Sequence, residues 1–139
     1  MLENNLKYCR EELEMTQEEL GYIFGVKGST VAGWENNHDS MPLPKLIRFS
    51  NMYKYSLDFI IGLNRKNNYK EVKLDKTNIG NNLKQLRTML NLSQQQLANE
   101  CMISQTTYSN YETGLYLINT LTLYTICKNH NLSFYDIIK

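Results

Sequence analysis

Apolar positions along this chain fall at helical spacing, and the same pattern comes round twice. Leu2, Leu6, Cys9 and Leu13 lie at i, i+4, i+7 and i+11, and Ile79, Leu83, Leu86 and Leu90 repeat the stripe. Residues so spaced share one helix face. A first helix is therefore predicted from Leu2 to about Leu13, with Cys9 standing where the second stripe has a leucine. Thr16-Gln17-Glu18-Glu19 then has the form of a capping box, in which the hydroxyl accepts from the backbone N–H three residues on and the acid reaches back. Ser93-Gln94-Gln95-Gln96 is the same device with Gln in the return position. Short second helices should end near Phe24 or Gly25 and near Met102, with Val26 and Ile103 as apolar plugs in the turns. Third helices should start near Lys27 or Gly28 and near Ser104 or Gln105. They should end near Asn36 and Thr113, where Asn37 and Gly114 can close them in the left-handed region.

Downstream, Pro42 and Pro44 punctuate a loop before a fourth helix that Pro44 can open at its first position. Its buried face takes Leu46, Phe49 and either Met52 or Tyr53. Ser56 to Gly62 reads as a last short helix, capped by Ser and stopped by Gly, and Ser133 to Ile138 is its counterpart. The two occurrences keep a constant offset of 77 residues from Asn4/Asn81 to Ile61/Ile138, and 14 of the 58 aligned pairs are identical. These identities fall on Leu6/Leu83, Arg10/Arg87, Leu13/Leu90, Gln17/Gln94, Leu20/Leu97 and Glu35/Glu112, among others. The expected fold is all-α: two tandem five-helix domains over residues 1–63 and 77–139, joined by a polar linker over residues 64–76.

That linker, NRKNNYKEVKLDK, is rich in Asn and Lys, and its Val72/Leu74 alternation could dock on either domain. As free coil it would span roughly 20 Å r.m.s., and fully extended about 45 Å.

Composition narrows the class by exclusion. A chain of 139 residues is one ordinary domain or two small ones, and the repeat decides for two. Three cysteines, Cys9, Cys101 and Cys127, with no CxxC and no His at ligand spacing, argue against a disulfide or zinc framework. No metal site and no cofactor are expected. No apolar run approaches membrane-spanning length, so a soluble cytoplasmic protein with no membrane partner is expected. His38 and His130 stand without acid or nucleophile partners at suggestive spacing, no Gly-rich phosphate loop is present, and an enzyme is not expected. The net charge of +1 supplies no bulk attraction for nucleic acid. Residues 77–139 carry 4 Lys/Arg against 3 Asp/Glu, so any DNA binding must come from local placement and polar contacts.

The pattern L-x-x-x-R, then [ST]-Q-x-x-L-[GA], then an apolar turn residue and [ST]-[ST]-x-x-x-[WY]-E resembles the phage repressor and Cro (Xre-like) helix-turn-helix family. Each copy matches across nearly its whole length. The resemblance implies that the second helix crosses the DNA backbone and the third enters the major groove with its first residues on base edges. It implies a phosphate contact for Gln94, and base-facing places for Gln105, Thr106 and Asn110, with Ser104 and Thr107 as backbone or edge contacts. Gln and Asn can hold adenine through N6 and N7, and a Thr methyl can pack on thymine. In the first copy the corresponding set is Gln17, Lys27, Ser29, Thr30 and Asn37. There, however, Gly28 and Gly33 replace Gln105 and Asn110. Arg10–Glu35 and Arg87–Glu112 are implied as structural ion pairs that position the third helices, while Trp34 and Tyr111 read as packing residues.

The expectation is a sequence-specific DNA-binding regulator, a repressor, with a double-stranded operator as its partner and room for a homodimer. The alternative is a protein-binding module, such as an antitoxin or phage regulator, that engages a protein partner through the first domain. The glycine-bearing third helix fits that use; the first copy also carries an acidic set, Glu11, Glu12, Glu14, Glu18 and Glu19. The acidic set reads as a solvated face that would repel DNA if turned toward it.

Overall fold

The computed structural model describes residues 4–139, which are helical, with no strand among them. The chain divides into two compact units between Glu71 and Val72. The first holds α1 (Leu6–Glu12), α2 (Gln17–Phe24), α3 (Gly28–Glu35), α4 (Leu43–Tyr53) and α5 (Leu57–Ile61). The second holds α6 (Lys76–Met89), α7 (Gln94–Glu100), α8 (Gln105–Thr113), α9 (Thr120–His130) and a 3₁₀ turn over Phe134–Asp136.

The two predicted capping boxes form. Thr16 accepts from the Glu19 N–H while Glu19 returns to the Thr16 N–H, and Ser93 and Gln96 do the same. Leu6, Leu20, Phe24, Val31, Leu46 and Phe49 build the core of the first unit, all at most 2% exposed. Ile79, Leu83, Leu97, Tyr108, Leu123 and Phe134 build that of the second. Burial of each such side chain is worth about 1.5–3 kcal/mol, and these contacts, drawn from every helix of a unit, hold the short helices that could not stand alone. Cys9 is wholly buried, as its place in the stripe required.

Several expectations need correction. The first helix starts at Leu6, and Leu2 lies outside the described residues. Its start is delayed because Asn4 and Asn5 are used elsewhere. The Asn4 side chain donates to the Trp34 carbonyl at 3.1 Å and to Asn37 Oδ1 at 2.8 Å, and Asn5 donates to the Phe59 carbonyl at 2.8 Å. α4 begins at Leu43, one residue before Pro44, with Pro42 as its cap. Of the two candidates for its last buried position, Met52 is exposed, while Tyr53 is half-buried with its ring 5.1 Å from that of Phe49. The last element of the second unit is a 3₁₀ turn because it lacks the glycine that closes α5. Gly62 takes φ +84° and lets the Leu63 N–H fold back on the Asp58 carbonyl, whereas the corresponding residue is Lys139. The linker departs from free coil. Asn67 donates to the Lys54 carbonyl and accepts from the Ser56 N–H, and the Tyr69 hydroxyl reaches Asn51, so its first half is fastened to the first unit. Val72 is buried, Leu74 remains exposed, and α6 is already under way at Lys76 behind an Asp75 cap.

Candidate nucleic-acid interface

α7 and α8 are joined by a turn that sets the start of α8 at the surface. Ser104 is its N-cap, accepting from the Thr107 N–H at 3.0 Å, and its hydroxyl donates to Thr107 Oγ1 at 2.9 Å. This spends the two hydroxyls on each other and on the helix start. Gln105 and Thr106 follow, fully exposed, and Asn110 lies half-exposed one and a half turns on. From Gln94 to Thr113 the only charged residues are Glu100 and Glu112. Glu100 is occupied: His130 Nε2 lies 2.8 Å from its carboxylate, an acid partner for His130 that sequence proximity could not reveal. Glu112 is buried. The exposed start of α8 is thus polar and almost uncharged.

What fixes α8 is the ion pair beneath it. Arg87 Nε and Nη2 donate to the two oxygens of Glu112 at 2.6 and 3.1 Å, and Nη1 donates to the Leu92 carbonyl at 2.9 Å. Gln94 Nε2 donates to the same carboxylate at 3.0 Å. Burial alone would raise the Glu112 pKa, but the hydrogen bonds and the Arg87 charge outweigh it and hold the carboxyl below its ordinary range. On the other side Gly80 lets α6 approach α8, since a Cβ there would lie 2.5 Å from the Tyr111 and Glu112 carbonyl oxygens.

The first unit repeats this frame. Arg10 meets Glu35 at 2.6 and 3.1 Å and the Met15 carbonyl at 2.8 Å, and Gln17 donates to Glu35 at 3.1 Å. Both glutamines expected on phosphates therefore spend an amide N–H on the buried pair, and both are half-buried. Trp34 and Tyr111 are buried, consistent with packing. Asn37, with φ +65°, ends the α3 region and accepts from Asn4.

The exposed start of α3 differs in chemistry. Lys27 is its N-cap residue without a side-chain cap, and Ser29 is exposed with Thr30 half-buried behind it. At Gly33 a Cβ would make an ordinary contact with His38 Cβ at 3.9 Å. At Gly28 the space is taken. A Cβ there would lie 3.1 Å from Glu18 Oε1 and 3.2 Å from its Cδ and Cγ, so the carboxylate from α2 sits over the first residue of α3. Sequence reading placed Glu18 among solvated acids and missed this. The signal was the pairing of Glu18 with a glycine where the second copy pairs Gln95 with Gln105.

Two regions of the chain, residues 6–60 and 83–137, match the helix-turn-helix family model. The chain belongs to the helix-turn-helix family. A curated relative, the uncharacterized HTH-type transcriptional regulator YobD of Bacillus subtilis (strain 168), is 33% identical over 58 residues. That match covers 42% of this chain and 52% of YobD, so about half the length of the relative is spanned. Among the described residues no cluster of three or more His, Cys, Asp or Glu could hold a metal ion, and no helix is long and apolar enough to cross a membrane.

Proposed function

We propose that this helix-turn-helix protein is a sequence-specific DNA-binding transcriptional regulator that represses by occupying an operator. α8 would lie in the major groove and α7 across the backbone. The observation that carries this reading is the surface of α8: Gln105 and Thr106 stand exposed and Asn110 half-exposed, nearly free of charged neighbours, on a helix pinned by a buried bidentate ion pair. Gln and Asn match the adenine edge, and a rigid mount keeps them in register with it. Gln94 and Gln17 would use their remaining N–H on phosphate at the N-termini of α7 and α2, where the helix dipole favours an anion. YobD, named as a transcriptional regulator, is in accord. Two tandem units allow one chain to meet two half-sites, and a homodimer would double that.

Selection of bound sequences from random duplex DNA tests the reading, with the full chain at moderate salt. Enrichment of a motif that changes with Gln105→Ala supports it, and absence of any enriched motif rejects it. The second reading, a protein-binding module working through the first unit, draws on Tyr22, which is 88% exposed beside Glu18 and Glu19. It predicts complexes insensitive to salt, whereas operator binding weakens as phosphates are neutralised.

A further inference from the structure

The start of α3 carries a donor and an acceptor flanking a glycine. Lys27, exposed, directly precedes Gly28, and the Glu18 carboxylate lies over Gly28, making no hydrogen bond or ion pair among the described residues. A carboxylate here has two consequences. It occupies the positive end of α3, where a phosphate would otherwise be attracted, and so disfavours a backbone contact at that point. It also presents an acceptor, with no donor of its own, where the second unit presents the side chain of Gln105. In the second unit the residue matching Glu18 is Gln95, which turns away to donate to Asn99 at 2.8 Å and leaves the start of α8 to Gln105.

We propose that Glu18, delivered from α2 into the space left by Gly28, is the base-reading residue of the first unit, and that with Lys27 it selects a G·C pair. In the major groove G offers two acceptors, N7 and O6, and C offers the N4 amino donor. Lys27 supplies the donor for G and Glu18 the acceptor for C. Where T replaces C, a carbonyl and a methyl group face the carboxylate, which rejects them; where A replaces C, its N6 amino group can meet Glu18, but the T opposite leaves Lys27 the single acceptor O4 in place of N7 and O6. The glycine at position 28 is then part of the reading surface, because a Cβ there would press on the Glu18 side chain at 3.1–3.2 Å and shift the carboxylate from its place. The inference rests on the regulator reading above and assigns different base preferences to the two units: adenine-containing under α8, G·C under the start of α3.

The test is sequence selection with the full-length chain, wild type beside Glu18→Gln and Gly28→Ala, with helicity and melting recorded for each. Both substitutions leave the fold: Glu18 is exposed, and the atoms nearest a Cβ at Gly28 are the end of a flexible side chain. Two half-sites are expected in the wild type. One responds to Gln105→Ala. The other carries a G·C pair whose replacement by A·T costs about tenfold in affinity, and that preference is lost in both Glu18→Gln and Gly28→Ala. A Gln105-dependent half-site alone, or a second half-site without a G·C preference, overturns the inference and leaves the regulator reading standing. So does Glu18→Gln that strengthens binding to all sequences equally, since the carboxylate would then act only on phosphates. No enriched sequence at all overturns both.

Discussion

Arg87 and Glu112 meet through two parallel hydrogen bonds, Nε at 2.6 Å and Nη2 at 3.1 Å, across 25 residues of sequence, and Arg10 and Glu35 repeat the contact at the same distances. The third guanidinium nitrogen holds the carbonyl that precedes the capping box, of Leu92 in one unit and of Met15 in the other. One side chain thus ties the end of a unit's first helix, the entry to its second and the end of its third. The geometry of the helix-turn-helix follows from that tie.

Removing one partner leaves the other charged, buried and unpaired. Arg87→Met should destabilise the second unit by about 3 kcal/mol, seen in chemical denaturation followed by circular dichroism. Replacing both, Arg87→Met with Glu112→Leu, should recover much of that loss, since well-packed apolar residues often substitute for a buried pair. A double variant no more stable than the single would contradict this account.

Acid should act through the same carboxylate. The Glu112 pKa is lowered from an ordinary 4.5, so the folded state binds its proton less readily than the unfolded chain. Its contribution to stability is therefore complete above about pH 4.5 and is lost as the pH falls from there through the depressed folded value. Stability of the second unit should decline with acid in that window, and Glu112→Gln should flatten the decline. Carboxyl chemical shifts followed by NMR through the titration report the site directly.

Left-handed positions separate the two turns. Gly25 closes α2 at φ +71°, and the matching Met102 adopts φ +58° while 93% exposed, so its side chain gains little packing for its strain. Met102→Gly should stabilise the second unit by about 1 kcal/mol. In contrast, Gly80→Ala should destabilise it by about 2 kcal/mol or more, because the new methyl meets backbone carbonyls. Gly33→Ala, whose Cβ would meet only His38 Cβ at an ordinary 3.9 Å, should stabilise the first unit by about 1 kcal/mol. Thermal melts of the three variants give the signs.

On DNA, Gln105→Ala and Asn110→Ala should each cost about 1–3 kcal/mol at the base they read, with little change on unrelated sequences. Gln94→Ala should weaken all sequences alike, and since a neutral amide displaces no counterion, it should leave the salt slope unchanged. Fluorescence anisotropy over a salt series separates the two behaviours.

The thiols should be sluggish in the native protein. Burial, with the nearby Glu12 charge, pushes Cys9 up to about 12, and burial with Glu100 pushes Cys101 up to about 11. Because the thiolate is the reacting form, alkylation at pH 8 should be slow at both. Cys101, half-buried, should react before Cys9, which should wait for unfolding. Mass spectrometry of time points orders them.

The chain by itself determined the repeat and the starts of α2 and α7, and the family resemblance supplied the framework pair. Capping boxes and apolar stripes act over four to eleven residues, and the constant offset of 77 made each copy a check on the other. Tertiary structure alone decided what depends on residues far apart in sequence. Asn4 and Asn5 were claimed by α3 and α5, which moved the start of α1 to Leu6. His130 found Glu100. Asn67 and Tyr69 bound the linker to the first unit. Above all, the Glu18 carboxylate came to rest over Gly28, ten residues on and in the next helix. Helical periodicity states which face a side chain shares with its own helix, and Glu18 shares an exposed one. What lies beyond that face depends on how closely the turn into α3 folds back on α2, an approach in which a Cβ at Gly21 would lie 2.6 Å from the Val26 carbonyl oxygen.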